Sequence, residues 1–179
     1  MLKFAYSILK HKFYVFWAGL FYTKAELCDL IIHDFSKFSL TEFIPYYQKF
    51  GKKSDANEIG FAHAWLHHQN VNPHHWEYWI GRSGHALEEK GFQTEYMYEM
   101  PERYVREMVA DWLAADRTYN KTGKWVDLHN WNWMNTRGRE LFKSRLHPNT
   151  IECVDKVFAE VNKRLYGTYE MGIFKSYLK

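Results

Sequence analysis

Cysteine is almost absent from this chain: Cys28 and Cys153 stand alone in separate segments, with no Cys-x-x-Cys pair. That excludes a disulfide framework and a thiolate zinc site, and makes a reducing cytoplasm the default compartment. Long apolar runs are missing too. The stretch Met1 to Leu20 is apolar and aromatic, but Lys10-His11-Lys12 interrupts it. Neither a signal-peptide core nor a transmembrane span tolerates that interruption, so an amphipathic core helix is expected and no membrane partner. Strong net charge is lacking as well: +3 gives no nucleic-acid signal. What is present is core-forming and imidazole-rich material. The 179 residues are 46% hydrophobic and 19% aromatic, enough for one compact domain, and seven of the ten His fall between His33 and His85.

The periodicity reads as all-α, a single multi-helix bundle over residues 1–179 with the candidate site within 1–120 and packing helices over 125–179. Residues 3 to 20 put Phe4, Ile8, His11, Val15 and Ala18 on one helical face. Thr23 is a candidate cap for a second helix with the inner stripe Leu27, Leu30, Ile31 and Asp34. Ser39 or Thr41 opens a short helix carrying Phe43, Tyr46, Tyr47 and Phe50, and another helix runs from Ser54 or Asp55 to about Gln69. Asn72-Pro73 begins a turn that holds His74, His75 and Trp76. Gly81 to Gly91 reads as a surface loop, a candidate lid. Pro101 opens a helix to about Tyr119, Lys121 to Lys124 break it, and further helices follow over Trp133 to Leu146 and from Pro148 to about Tyr166.

The pair His33-Asp34 ends the apolar run Leu30-Ile31-Ile32. On its own it is a surface His beside a capping Asp. Its company changes the reading. His11 shares a helix face with Ile8 and Val15, where an imidazole needs a partner. Asp111 lies mid-helix, three residues from Met108, and a carboxylate beside an apolar stripe needs a cation. Glu107, one turn earlier, is placed to orient a ligand or bind a water. His63 and His67 are four apart on one face, while His68 points differently and Pro73 turns the chain so that His74 or His75 can return.

His11, His33-Asp34 and Asp111 resemble the ligand set of the HD-domain superfamily of metal-dependent phosphohydrolases, and Leu30-Ile31-Ile32-His33-Asp34-Phe35-Ser36-Lys37 is similar to its signature. The segment Ala64 to Trp76 also looks like an uncharacterised bacterial and phage branch, which would place the protein in a host cytoplasm. The resemblance implies a first metal on His11, His33, Asp34 and Asp111, with Asp34 bridging to a second held by His67 or His68 and by His75. Asp34, Lys37 and Glu107 become the catalytic candidates, and Lys37, His74 and Arg82 the contacts to substrate phosphate. The interval from His68 to His74 is shorter than the family's, so one ion or two are implied. Mixed imidazole and carboxylate ligation suits Mn, Fe, Co or Ni. The implied reaction is hydrolysis of a nucleotide or cyclic nucleotide phosphoester by a metal-activated hydroxide. Trp65, Trp76, Tyr78 and Trp79 are candidates to stack a base.

Two other readings share these residues. Some proteins of this fold with a similar ligand order, including the Lys, use a di-iron centre to oxidise an organic substrate. A non-catalytic protein whose metal is structural is the other. The last third offers little chemistry: Val154, Val157, Phe158, Val161 and Leu165 form a stripe that either packs on the core or makes a homodimer contact.

Overall fold

The computed structural model describes residues 1–52, 58–82, 95–120 and 123–179, without the side chains of Arg82, Glu95, Arg139 and Glu140. The fold is all-α. Helix α1 (Leu2–Ala18) buries Ile8, His11, Val15 and Ala18, the face expected from its spacing. It continues into a wider π-type turn, Gly19–Thr23. Helix α2 (Leu27–Ile32) is followed by a 3-10 turn (Phe35–Phe38), α3 (Leu40–Tyr46), a second π-type turn (Tyr47–Gly51) and α4 (Glu58–Val71). A 3-10 turn at Trp76–Trp79 leads to β1 (Ile80–Arg82), which pairs antiparallel with β2 (Glu95–Met97), Ile80 opposite Met97. Helix α5 (Glu102–Tyr119) is central and packs along α1. A π-type turn (Met134–Gly138) runs into the short α6 (Arg139–Phe142), and α7 (Pro148–Tyr166) and α8 (Ile173–Tyr177) close the bundle.

The apolar core lies where α5, α7 and α8 meet. Val105, Met108, Val109 and Leu113 of α5 recur at helical spacing, and Val154, Val157, Phe158 and Val161 of α7 face them, all buried. The α7 stripe therefore packs on the core and is not free for a partner. Asp155, fully buried on α7, accepts the backbone N–H groups of Gly172 (2.7 Å) and Phe174 (2.9 Å) and docks α8. No described helix is long and apolar enough to cross a membrane.

Several expectations need correcting. Helix α2 stops at Ile32, so Asp34 is not part of its stripe, and Leu27 and Ile31 are exposed. Its flanking residue is Glu26, without a side-chain cap, because Thr23 is used up in the π-type turn. The helix expected over Trp133 to Leu146 is continuous from residue 132 through the π-type turn but ends early, at Phe142. Strands β1 and β2 and helix α8 were not anticipated; a β1 that starts at Ile80 replaces the first residues of the Gly81–Gly91 loop. Most of that loop and the caps expected at Ser54 or Asp55 lie outside the described residues.

Candidate metal centre

The backbone sets the site at one corner. Gly19 lets α2 approach α1 closely, since a Cβ there would collide with the Leu30 side chain. The chain then leaves α2 through an extended His33 (φ −44°, ψ 127°) and a left-handed Asp34 (φ 55°, ψ 20°). Asp tolerates that conformation better than most residues. The break turns both side chains inward, which consecutive residues of a regular helix, about 100° apart, would not do. Lys12 of α1 pins the corner by donating to the carbonyl oxygens of Ile31 (2.8 Å) and His33 (2.5 Å).

Three imidazoles of the site, those of His33, His74 and His68, are held from behind. Glu107 Oε1 accepts from Nδ1–H of His33 (2.8 Å) and stands 3.1 Å from Nδ1 of His74. Both rings thereby present Nε2 toward Asp34, at 3.4 Å from Oδ2 for His33 and 3.5 Å from Oδ1 for His74. Neither Nε2, nor Asp34 Oδ1, has a hydrogen-bond partner among the described residues, although all are buried. Glu42 plays the same part on α3: its two oxygens accept from Nδ1 of His67 and of His68, each at 2.8 Å. His68 Nε2 then lies 3.1 Å from Asp34 Oδ1 and 2.9 Å from His75 Nε2. On the other side, His11 Nε2 stands 2.8 Å from Asp111 Oδ1, and His33 Nε2 is 3.7 Å from the same oxygen.

Burial works against every charge here, and the neighbours overcome it. The Asp34 carboxyl, pushed up by desolvation, is nonetheless held well below the usual range by His33, Lys37, His68 and His74. Burial also opposes ionisation of Asp111, which His11 and His33 hold well below its ordinary value. His74 is pushed down by burial but raised to about 10 by the neighbouring carboxylates of Asp34 and Glu107. His75 goes the other way: burial, then the adjacent imidazoles of His74 and His68, keep it well below the ordinary His value.

These residues suit a metal. Three overlapping groups, Asp34–His68–His74–His75, His11–His33–Asp34 and His33–His74–Glu107, each offer ligand atoms within 4.8 Å of one another. Ligand atoms about 2.1 Å from one ion stand about 3.0–3.5 Å apart, close to the spacings around Asp34 and longer than most hydrogen bonds. Imidazoles with Nδ1 on a carboxylate and Nε2 free are the usual preparation of a histidine ligand. Buried clusters of His, Asp and Glu can thus hold a metal ion; which ion is a separate question.

The expected residues sort clearly. His11, His33, Asp34, His68, His75 and Asp111 converge. His67 does not: its side chain is 42% exposed, one residue and about 100° around α4 from His68, and it only shares Glu42. His74, expected beside substrate, is buried among the ligand atoms, because the turn at Pro73 carries it under Asp34. Glu107 faces the backs of the rings, so it positions ligands and does not reach the open side of the site. Arg82 joins β1 by its backbone, and its side chain lies outside the described residues. Trp76 packs on Phe142 with ring centroids 6.2 Å apart and Trp79 on Tyr104 at 5.9 Å, so they serve the core. Trp65 stacks on His68 itself, at 5.8 Å.

Lys37 pairs directly with Asp34 Oδ2 and marks where the site opens. A cavity of about 1000 Å³ begins there, with His11, Lys37 and Tyr119 lining the end nearest the ligands. Glu42 was the residue missed by sequence reasoning. Its only signal was Ser39-Leu40-Thr41-Glu42, a capping-box spacing. Ser39 does accept from Glu42 N (3.3 Å), but the Glu42 carboxylate turns to the histidines instead of completing the box.

No curated protein and no solved structure matches the chain. A protein family does match, over residues 1–160, and the chain belongs to it: the family of unknown function DUF5662.

Proposed function

We propose that this protein is a metal-dependent phosphoester hydrolase of the HD-domain kind, acting on a nucleotide or a similar phosphoester. The observation that carries the reading is the pair of buried, unpartnered Nε2 atoms of His33 and His74, backed by one carboxylate and aimed at Asp34. His11, His33, Asp34 and Asp111 would hold one ion, and Asp34, His68, His74 and His75 a second. Mn, Fe, Co and Ni all suit such a mixed donor set. When bound, a divalent ion supplies Lewis acidity and a water acidified toward neutral pH.

The chain's own groups account for the rest. Lys37 is pulled down by burial but raised by Asp34 beside it, so it stays an ammonium at neutral pH. It serves as fixed positive charge where a phosphate oxygen arrives, not as a base. Glu107 and Glu42 keep four imidazoles in one tautomer and orientation. Hydrolysis forms a bond from the water oxygen to phosphorus and breaks the ester P–O bond, and the leaving oxygen departs as an alcohol with a proton from solvent. Cys28 and Cys153 are both free, in keeping with a reducing cytoplasm.

The test is metal analysis of the purified protein, followed by assays with Mn, Fe, Co and Ni against linear and cyclic nucleotides and simple phosphomonoesters. Bound transition metal and metal-dependent phosphate release without oxygen are expected. Iron-bound protein whose turnover requires oxygen would replace hydrolysis by oxidation. A metal-free protein inert under all four ions would remove the reading.

A further inference from the structure

The cavity beside the metal centre is large and unevenly built. Its volume is about 1000 Å³, at the upper end for small-molecule sites and far more than a phosphate group fills. Phe4, Ile8, Tyr47 and Phe50 make its walls. Phe4 packs edge-on against Phe43 (5.5 Å) and beside Tyr47 (5.8 Å), so the aromatic wall is fixed by contacts of its own. Among the described residues, the lining includes Lys37 and Lys3 but no carboxylate. Lys37 stands at the metal end, already paired with Asp34.

A chain of phosphates would need several cations or a nest of backbone N–H groups to receive it. Among the described residues, the walls offer only Lys3 and Lys37. Apolar walls next to a cationic, metal-ready end match an amphiphilic anion instead. We propose that the cavity receives the apolar or aromatic body of an ester with a single phosphate, whose head lies at the His11–Lys37 end. A nucleoside monophosphate meets this description only through its base; sugar phosphates and polyphosphates do not. This rests on the hydrolase reading, but it is separable from it, because binding can be read without turnover.

The experiment uses the Mn-loaded protein and three non-hydrolysable probes: methylphosphonate, naphthylphosphonate and the methylenephosphonate isostere of ribose 5-phosphate, titrated by calorimetry. Methyl and naphthyl phosphonates carry the same head and differ in apolar body. Naphthylphosphonate is expected to bind at least about tenfold tighter than either of the others, in line with the area it takes out of water. Phe50, 55% exposed, can be shortened without opening the core. Phe50→Ala should remove most of the naphthyl advantage and leave methylphosphonate unchanged, and Phe50→Leu should restore part of it. Equal affinities for methyl and naphthyl phosphonates, tighter binding of the ribose phosphonate, or no binding of any probe would overturn the assignment. Preference for naphthylphosphonate with no cleavage of naphthyl phosphate would sink the hydrolase reading and leave the cavity's assignment standing. Cleavage of phosphoesters without that preference would do the reverse.

Discussion

Helix α5 divides the molecule into two interiors of opposite character. Toward α7 and α8 it turns Val105, Met108, Val109 and Leu113 onto Val154, Val157, Phe158 and Phe174, all essentially inaccessible. Among the described residues one carboxylate is buried there, Asp155, and backbone N–H groups satisfy it. Toward α1 and α4 the same helix turns Glu107 and Asp111 onto His11, His33, His74 and, beyond them, Asp34 and His68. There the buried polar atoms are incompletely partnered. Apolar groups of similar volume would hold α1 to α5 at least as well as buried ion pairs do. Stability alone thus explains the first interior and not the second. The second is arranged for something that binds.

The comparison is broken most directly at Asp34. Asp34→Asn keeps a residue that tolerates the left-handed corner while removing the charge shared by both ligand groups. Loss of tightly bound metal and of all metal-dependent activity is expected, with helix content unchanged by circular dichroism. The same loss appears as stability. A saturating ion at about a thousand times its Kd stabilises the native state by about 4 kcal/mol, and Asp34→Asn should lose that increment in paired melts with and without a chelator. A variant that still gains the full increment from metal would show that the corner is not where the ion sits.

At the opposite interior the effect should be of similar size and blind to metal. Phe158 is fully buried, with its ring 5.3 Å from that of Phe174 and 6.2 Å from that of Trp131. Phe158→Ala should cost about 3–5 kcal/mol in denaturant unfolding, while leaving metal affinity within about twofold. A marked fall in metal affinity would mean that the two interiors do not act independently across α5.

The helices of the apolar interior were legible in the sequence because their signal is periodic. Pro101 and Pro148 mark their starts, and the spacing of Val105, Val109 and Leu113 needs no tertiary knowledge. The site was legible only as residue types in order. Spacing does not say that α2 ends at Ile32, since Leu30-Ile31-Ile32 reads as helix, and the break comes from tertiary contacts of Lys12 and the left-handed Asp34. His67 and His68 likewise both stayed open as ligands until α4 was set against α3, which leaves the His67 side chain 42% exposed and brings His68 Nε2 to 3.1 Å from Asp34. Helix α8 is too short to show a period, and the buried Asp155 carboxylate that docks it is invisible in sequence.

A finer cut separates the ligands from the groups behind them. Glu107→Gln keeps the shape but accepts more weakly, and its amide can present an N–H to rings that need an acceptor. Metal affinity should fall about 10–100-fold, with the metal-free fold close to wild type. Glu42→Gln should do the same at the His68 side alone, where Asn72 Nδ2 (3.0 Å) and Ser36 Oγ (3.2 Å) already crowd Nδ1. If two ions bind, titration should show Glu42→Gln weakening one step and Glu107→Gln weakening both, because Glu107 backs His33 of the first proposed ion and His74 of the second. Equal weakening of both steps by the two variants would merge the sites into one.

The smallest expected effect lies at the seam between α5 and α7, on the outside of both interiors. Arg106 donates to Glu102 (2.6 Å) and Glu160 (3.0 Å), and Arg164 adds a contact to Glu160 at 3.2 Å. Hydrogen bonds from Arg106 hold both carboxyls below their ordinary values, with burial opposing. A carboxyl depressed in the folded state stabilises it above the unfolded pKa, and that stability is lost as pH falls through the folded one. Glu160→Gln should therefore cost less than about 1 kcal/mol at pH 7 in low salt, and the difference from wild type should start to shrink as pH falls past about 4.3, the free carboxyl's value, and vanish only below the lowered folded one. It should also shrink in high salt, as an exposed network's does. The metal-dependent increment should be the same in this variant as in wild type, since nothing in the network touches the ligand cluster. A pH-independent difference would assign the seam to packing of the Arg106 stem and not to its charge.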